Sequence, residues 1–245
     1  MKLTIDKKEI TALPEDTIMA AARRAGVFIP GMCWSETVKT ANCCRLCMVE
    51  VTEGNRPRLV AACAFKVREG LEVVTESEQI GRIRRTMLRL LYVQAPDNPA
   101  VMELMERYNV RPEPRLPVKD TSQCVLCRLC VENCQALGKS AISAVDRGIA
   151  KRIDTPYSEP SEDCIGCASC ADVCPTGCIE VKDTVSHRKI WNREFPWVRC
   201  GRCGAIITTQ AHYEASNPPD APVLCPTCKK LGAADVFAET LGEGI

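Results

Sequence analysis

The chain has 245 residues, with 32 basic and 31 acidic side chains and a formal net charge of +1. This balance argues against a nucleic-acid or lipid-binding surface, because such surfaces carry an excess of positive charge. Aromatic residues make up only 4% of the chain, whereas 18 residues are cysteine. The composition therefore predicts several small domains with thin cores, which metals or disulfides must stabilise. Together with the elements and motifs described below, we expect the α+β fold class.

The start of the chain gives an expectation about its compartment. Residues 1–6 have no apolar segment followed by a cleavage site, so we expect no secretory signal. No apolar run approaches the roughly 20 residues that a membrane helix needs. We therefore expect a cytoplasmic protein without direct membrane insertion, whose cysteines are reduced thiolate ligands. A disulfide scaffold would require an oxidising compartment and would not explain the regular cysteine spacing described below.

Residues 1–78 are predicted to form a β-grasp domain that holds a first iron-sulfur site. The predicted elements are strands at 2–5, 9–13 and 27–29 and a helix at 16–25 that ends at Gly26. Four cysteines are separated by ten, two and fifteen residues, namely Cys33, Cys44, Cys47 and Cys63. Four thiolates in this arrangement suit a 2Fe-2S cluster. Zinc is a chemical alternative, against which the β-grasp frame argues.

The same residues resemble the domain that opens the large iron-sulfur subunit of respiratory NADH dehydrogenase and the diaphorase subunits of NAD-linked hydrogenases. The resemblance is carried by Ile29-Pro30, by residues 44–51 and by residues 59–63. It implies a plant-type 2Fe-2S domain, although the spacing departs from the C-x4-C-x2-C of photosynthetic ferredoxins. Cys43, beside a ligand, is interpreted as a small residue where the family tolerates glycine.

Residues 79–118 are predicted to be a helical bridge with a proline-rich linker. Thr75 and Glu78 offer a capping box for a first helix. Its apolar face is predicted to contain Ile80, Ile83, Met87, Leu90 and Leu91. Its basic residues are expected to be solvated, rather than to bind nucleic acid or an acidic partner, and are Arg82, Arg84, Arg85 and Arg89. Asn98 and Pro99 begin a second helix.

The bridge departs from the family pattern. In the hydrogenase and NADH dehydrogenase relatives, the corresponding segment carries a histidine and three cysteines that hold one more 4Fe-4S cluster. Here no cysteine lies between Cys63 and Cys124, and no histidine precedes His187. We therefore expect that cluster to be absent. Either the flanking domains pack directly, or another subunit supplies the missing electron-transfer step.

Residues 119–185 contain two C-x2-C-x2-C-x3-C runs, the second followed by Pro175. In bacterial ferredoxins with two 4Fe-4S clusters, the fourth cysteine of each run binds the cluster of the other run. This rule assigns one cluster to Cys124, Cys127, Cys130 and Cys174. It assigns the other cluster to Cys164, Cys167, Cys170 and Cys134. Between the runs, residues 141–145 and 150–153 predict a hairpin.

The resemblance runs from residue 1 to about residue 182, except at the missing cluster. Cys178 follows the second run where an alanine is common in such domains. It is therefore interpreted as a packed small thiol rather than as a ligand or a redox switch.

Residues 186–245 form a tail of different composition. Two C-x2-C knuckles lie 21 residues apart and consist of Cys200, Cys203, Cys225 and Cys228. This spacing predicts a zinc-ribbon-like site, with a single iron ion or a further cluster as alternatives. His212 is expected at the surface, because four cysteines already satisfy a metal. Acidic residues are about as numerous as basic ones in the tail, which argues against nucleic-acid binding.

The sequence contains no dinucleotide-binding or phosphate-loop glycine motif, so no nicotinamide, flavin or substrate site is visible. The resemblance implies an electron-transfer subunit of a multi-subunit NAD(P)-linked hydrogenase or formate dehydrogenase. Its partners would be a flavin- and NAD(P)-binding subunit and a catalytic subunit or soluble ferredoxin. The sequence leaves electron bifurcation open. A freestanding polyferredoxin and a zinc-dependent binding module are the alternative functions.

Overall fold

The computed structural model describes residues 1–54, 56–118 and 123–242 of the chain. The first residues of the predicted two-cluster domain, 119–122, and the last of the tail, 243–245, lie outside the described residues. Within these described ranges, no helix has both the length and the apolar character needed to cross a membrane.

A mixed five-stranded sheet organises the N-terminal part of the chain. Its strands are β1 (Lys2–Ile5), β2 (Lys8–Thr11), β3 (Met48–Glu53), β4 (Arg56–Ala61) and β5 (Leu71–Val74). The order across the sheet is β2-β1-β5-β3-β4, in which β1 and β5 run parallel and the other pairs antiparallel. Helix α1 (Ile18–Arg24) packs its apolar side on this sheet. The first two predicted strands are confirmed, with the second ending two residues early.

The segment after α1 differs from the prediction. Gly26 ends the helix with a φ of 71°, as expected. The N–H of Val27 then bonds back to the carbonyl of Ala22 at 2.8 Å, so it is not available to a neighbouring strand. Residues 27–29 therefore form no strand, although Ile29 is fully buried in the core. The apolar character of the segment explains its burial, but the predicted strand pairing is wrong.

Two helices form the bridge, α2 (Glu78–Gln94) and α3 (Pro99–Arg107). The predicted capping box is wrong, because Ser77 caps α2 by accepting a hydrogen bond from the N–H of Ile80. Thr75 instead donates from its N–H and hydroxyl to the carboxylate of Asp6. The predicted start of α3 is confirmed, since the Asn98 side chain caps its first turn.

The inward face of α2 is also rotated from the prediction. Its buried residues are Ile80, Gly81, Arg84, Leu88 and Leu91. Leu90, predicted to face inward, is 47% exposed. The prediction that Arg84 is solvated is wrong. It is completely buried, because its guanidinium donates hydrogen bonds to backbone carbonyls inside the protein.

The two cysteine runs have the same local structure, a loop followed by a helix. Helices α4 (Leu129–Ala136) and α5 (Ser169–Asp172) each begin five residues after the first cysteine of a run. Positive φ angles occur at equivalent positions of the two loops, at Leu126 and Arg128 and at Gly166 and Ala168. The predicted hairpin is confirmed as β6 (Ser143–Val145) paired with β7 (Arg152–Asp154).

The tail and the two-residue strand just before it form a four-stranded sheet, here called the tail sheet, which is accompanied by two helices. The elements are β8 (Lys182–Asp183), β9 (His187–Ile190), β10 (Arg193–Arg199), β11 (Ile206–Thr209), α6 (Gln210–Ser216) and α7 (Pro226–Gly242). Ile190 and Phe195 of this sheet are buried in one core with Cys130, Cys164 and Cys170 of the cysteine runs. The tail sheet is therefore packed on the two-run domain.

Candidate functional site

The first cysteine group lies in loops at one end of the N-terminal sheet. Cys33, Cys44, Cys47 and Cys63 are all buried. The sulfurs of Cys47 and Cys63 are 3.2 Å apart, and the N–H of Cys44 donates to the Cys33 sulfur at 3.4 Å. Asn42 and Arg45 adopt positive φ angles of 54° and 55°, which turn the loop around the group. The structure thus brings together the four cysteines that the sequence singled out.

Hydrogen bonds inside this group shift the pKa values of its thiols in opposite directions. Hydrogen bonds with the thiols of Cys43, Cys44 and Cys63 lower the pKa of Cys33, and a hydrogen bond with Cys63 lowers the pKa of Cys47 to about 7. The hydrogen bond with Cys33 raises the pKa of both Cys44 and Cys63, so a bound metal would be needed to hold all four as thiolates. Thiolates are the form in which cysteine binds metal, so the donor set fits an iron-sulfur cluster.

A second group surrounds a cavity of about 520 Å³ in the two-run domain. The cavity is lined by Cys124, Cys127, Cys130, Cys174 and Cys178. The N–H of Leu126 donates to the Cys124 sulfur at 3.4 Å. Burial raises the pKa of Cys127 to about 11 and that of Cys130 to about 12. Sulfurs buried in this way need a positively charged metal to hold them as thiolates.

A third group surrounds a separate cavity and contains Cys134, Cys164, Cys167 and Cys170. The N–H of Ala141 donates to the Cys134 sulfur at 3.3 Å, and the indole N–H of Trp191 donates to the Cys170 sulfur at 3.4 Å. Cys134 thus leaves its own run and joins the second, while Cys174 joins the first. This distribution has the crossed pattern that two 4Fe-4S clusters require.

Two further thiols lie beside these groups. The Cys178 sulfur is 3.6 Å from that of Cys174. The Cys43 thiol is exposed and donates weakly to the carbonyls of Leu126 and Cys127, each at 3.7 Å. Cys43 therefore lies where the N-terminal domain meets the first cysteine run.

The N-terminal domain and the first cysteine run, which flank the shortened bridge, are in direct contact. Residues of the first cysteine group and of the loop at the second group share one buried core, which contains Cys33, Cys44, Leu46, Val125, Cys127 and Leu129. Helices α2 and α3 support the same core through Leu88, Leu91, Val101 and Met105. The two domains pack directly against each other.

Arg84 connects the bridge to the first group, a role that no sequence pattern indicated. Its Nε donates to the carbonyl of Leu46 at 3.0 Å, and its Nη2 donates to that of Met48 at 3.0 Å. Leu46 and Met48 flank Cys47 on both sides. The guanidinium also forms an ion pair with Glu76 and a 3.2 Å hydrogen bond to the Tyr108 hydroxyl. Arg84 thus holds the backbone on both sides of Cys47, the second cysteine of the C-x2-C pair.

The fourth group is compact. The sulfurs of Cys200, Cys203, Cys225 and Cys228 all lie within 4.8 Å of one another. Backbone N–H groups of Cys225 and Cys228 donate to the sulfurs of Cys200 and Cys225 at 3.3 and 3.4 Å. Donation from the Cys225 N–H lowers the pKa of Cys200 to about 6. His212 is half-buried and bonds to Thr208 at 2.8 Å, and it does not belong to this group.

The folds around these groups define an iron-sulfur protein of the ferredoxin type. Residues 1–78 match the model of a 2Fe-2S iron-sulfur cluster binding domain. Residues 123–178 match the model of a 4Fe-4S dicluster domain.

Relatives place the chain more narrowly. It is 33% identical to NADPH-Fe(3+) oxidoreductase subunit alpha of Geobacter sulfurreducens, over 93% of this chain and 26% of that protein. It is 31% identical to NADP-reducing hydrogenase subunit HndD of Solidesulfovibrio fructosivorans, over 78% of this chain and 37% of that protein. It is 26% identical to an NADH-quinone oxidoreductase subunit of Rhizobium meliloti, over 83% of this chain and 27% of that protein.

A solved structure has a similar fold over most of this chain. A chain of an NAD⁺-reducing NiFe-hydrogenase in the H₂-reduced state matches with a TM-score of 0.62 and 30% identity, covering 72% of this chain and 85% of that one. The chain belongs to the family of iron-sulfur electron-transfer subunits related to NAD(P)-linked hydrogenase and NADH dehydrogenase subunits. It spans about a quarter to just over a third of the length of the curated relatives named above.

Proposed function

We propose that this chain carries electrons through one 2Fe-2S and two 4Fe-4S clusters, between a flavin- and NAD(P)-binding partner and a catalytic partner or soluble ferredoxin. The observation that carries the proposal is the shared buried core of Cys33 and Cys127, which joins the first two cysteine groups. The names of the relatives refer to NADPH, NADP, NADH and NAD⁺, which supports a nicotinamide-linked complex.

The ligand sets follow from the three inner groups. Cys33, Cys44, Cys47 and Cys63 would hold the 2Fe-2S cluster in a β-grasp domain of residues 1–78. The first 4Fe-4S cluster would be held by Cys124, Cys127, Cys130 and Cys174, and the second by Cys164, Cys167, Cys170 and Cys134. When bound, the clusters supply one-electron reduction and oxidation. The chain supplies thiolates, N–H donors to sulfur and a buried junction that excludes water.

The compact tail group is proposed to hold one zinc ion. Tetrahedral zinc with Zn–S bonds of about 2.3 Å separates its sulfurs by about 3.8 Å. The Cys203 and Cys225 sulfurs are 3.8 Å apart. A cubane cluster bound at four separate corners would hold its thiolates farther apart, so the geometry favours a single ion. A closed four-thiolate site stabilises structure rather than carrying electrons.

Metal analysis of the anaerobically purified chain tests this proposal. We expect about ten iron atoms and about one zinc atom per chain, because one 2Fe-2S and two 4Fe-4S clusters contain that much iron. Elemental analysis combined with Mössbauer spectroscopy gives the iron count and the cluster types together. Zinc without iron would show a zinc-dependent binding module and would end the electron-transfer proposal.

Purification from the native host tests the partner assignment. We expect a flavin-containing, nucleotide-binding subunit to co-purify with the chain, together with a catalytic subunit. A fully loaded chain that purifies alone and exchanges electrons with soluble carriers would instead identify a freestanding polyferredoxin.

A further inference from the structure

The tail sheet contacts the second cysteine loop, residues 161–167, through a set of side-chain hydrogen bonds. Arg193 donates from Nη1 to the carbonyls of Ser161, Glu162 and Cys164 at 2.8, 3.1 and 3.1 Å. Arg188 donates to the carbonyls of Gly166 and Cys167 at 3.2 and 3.3 Å. Thr209 donates to the carbonyl of Ile165 at 2.6 Å. The tail therefore holds most of this loop by its carbonyl groups.

The packing is equally close at Gly166. Its φ of 67° is unfavourable for other residues, and a Cβ atom there would lie 2.6 Å from the Phe195 ring. Phe195 belongs to the tail strand β10 and is 1% exposed. The loop and the tail sheet are thus fitted to each other and leave no room for a side chain between them.

Trp191 reaches the cysteine group itself. It lies with Asn192 in the turn between β9 and β10, where both residues have positive φ angles, 50° and 58°. Such two-residue turns favour asparagine and glycine, so a tryptophan in this conformation is unusual. The turn places the indole against both cavities and brings its N–H to 3.4 Å from the Cys170 sulfur.

The first cysteine loop has a different neighbour. The thiol of Cys43 contacts its carbonyls at Leu126 and Cys127. Two guanidinium groups contact the carbonyls of the second loop, although that of Arg188 is also paired with Asp183. Charged side chains of both signs line the cavity of the first group, namely Arg128, Asp154, Glu180, Lys182 and Lys189. Reduction adds negative charge to a cluster, and both N–H donation to sulfur and nearby positive charge stabilise that charge. The N–H donor and the guanidinium groups that the tail places at the second site thus favour the reduced state of a cluster there.

We propose that the tail raises the reduction potential of the second 4Fe-4S cluster, with Trp191 as the residue that donates to its Cys170 ligand. This inference rests on the proposed function, because it requires the third cysteine group to hold a cluster. It assigns the tail a role in electron transfer, because the tail would set how readily the second cluster accepts an electron.

The Trp191→Phe variant tests the donor, because phenylalanine keeps an aromatic ring and lacks the N–H. We expect the equilibrium constant for reduction of one 4Fe-4S cluster to fall about ten-fold. The reason is that the free energy of a hydrogen bond to a charged acceptor corresponds to at least about this factor in an equilibrium constant. For a one-electron couple this is a fall of about 59 mV. The midpoints of the 2Fe-2S cluster and the other 4Fe-4S cluster should not change. A redox titration of the full loaded chain, followed by electron paramagnetic resonance, measures all three.

The Trp197→Phe variant is the matched control. Trp197 lies on the same sheet, but its indole N–H donates to the carbonyl of Thr184 at 2.9 Å. Its replacement makes the same chemical change without removing a donor to a cysteine sulfur, so all midpoints should stay in place. A second variant, Arg193→Gln, tests the positive charge and should lower the same midpoint, which keeps the inference testable if the Trp191 variant folds poorly.

The outcomes separate this inference from the function on which it rests. Absence of 4Fe-4S signals from the wild-type chain would overturn the proposed function. Two 4Fe-4S signals whose midpoints are unchanged in both Trp191→Phe and Arg193→Gln would overturn the inference alone. An equal fall of both midpoints would also overturn it, because a general loss of packing would then explain the result.

Discussion

Replacement of Cys134 by alanine is expected to remove the second 4Fe-4S cluster and to leave the first in place. Cys134 belongs to the first run by sequence, but its side chain lines the cavity of Cys164, Cys167 and Cys170. The substitution removes one of the four thiolates that would bind this cluster, and with it the sulfur that accepts the hydrogen bond from the Ala141 N–H. The iron content should fall from about ten to about six atoms per chain, and one of two 4Fe-4S signals should disappear from the resonance spectrum.

The mirror variant and a control sharpen this prediction. Cys174→Ala should remove the first cluster and spare the second. Cys178→Ala should retain all three clusters, because Cys178 is a fifth thiol beside a complete set of four. Loss of the first cluster from Cys134→Ala would show that the runs do not cross. Loss of a cluster from Cys178→Ala would make that thiol a ligand.

Replacement of Arg84 by methionine is expected to destabilise the 2Fe-2S site selectively. Methionine fills much of the same volume but leaves the carbonyls of Leu46 and Met48 without their buried donor. Removing one partner of a buried charged network costs about 3 kcal/mol. The 2Fe-2S cluster should therefore be released at a lower denaturant concentration than in the wild-type chain, as followed by its visible circular dichroism.

Arg82→Met provides the comparison on the same helix. The Arg82 side chain is 67% exposed, and its ion pair with Glu78 measures 4.0 Å. We expect its replacement to change stability by no more than about 0.5 kcal/mol. Equal denaturation profiles for the Arg84 and Arg82 variants would show that Arg84 does not hold the C-x2-C pair.

The cysteine groups could be predicted from the sequence because ligand spacing is a local property. A C-x2-C pair can wrap one metal or one cluster corner in any surrounding fold, and the crossing of Cys134 and Cys174 follows from the repeat of the run. The hairpin around Asp146 and the cap at Asn98 were predictable for the same reason, since each depends on neighbours within a few residues.

Other features depend on parts of the chain far apart in sequence. Arg84 has the local character of a solvated residue, and only the carbonyls of Leu46 and Met48, 38 and 36 residues earlier, explain its burial. In the sequence, Trp191 likewise cannot be distinguished from an aromatic core residue. Only the folded structure shows that its N–H donates to the Cys170 sulfur. Periodicity also predicts an inward Leu90, but the packing of α2 against the N-terminal domain turns that position outward.

The direct packing of the domains gives the shortened bridge a physical meaning. The family cluster whose ligands are missing between Cys63 and Cys124 is not needed to join the two parts, because the loops around Cys33 and Cys127 already share a buried core. The helices of the bridge hold this contact in place. We therefore propose that electrons pass from the N-terminal domain to the first cysteine run within one chain.

Injection of single electrons into the isolated, fully loaded chain tests this route most directly. A photochemical reductant places one electron on the 2Fe-2S cluster, and rapid-freeze electron paramagnetic resonance follows its distribution at several protein concentrations. We predict that the electron equilibrates with the 4Fe-4S clusters at a rate independent of protein concentration, as expected for transfer inside one molecule. A rate that rises in proportion to concentration would contradict the account, because electrons would then pass between molecules rather than through the junction at Cys43 and Cys127.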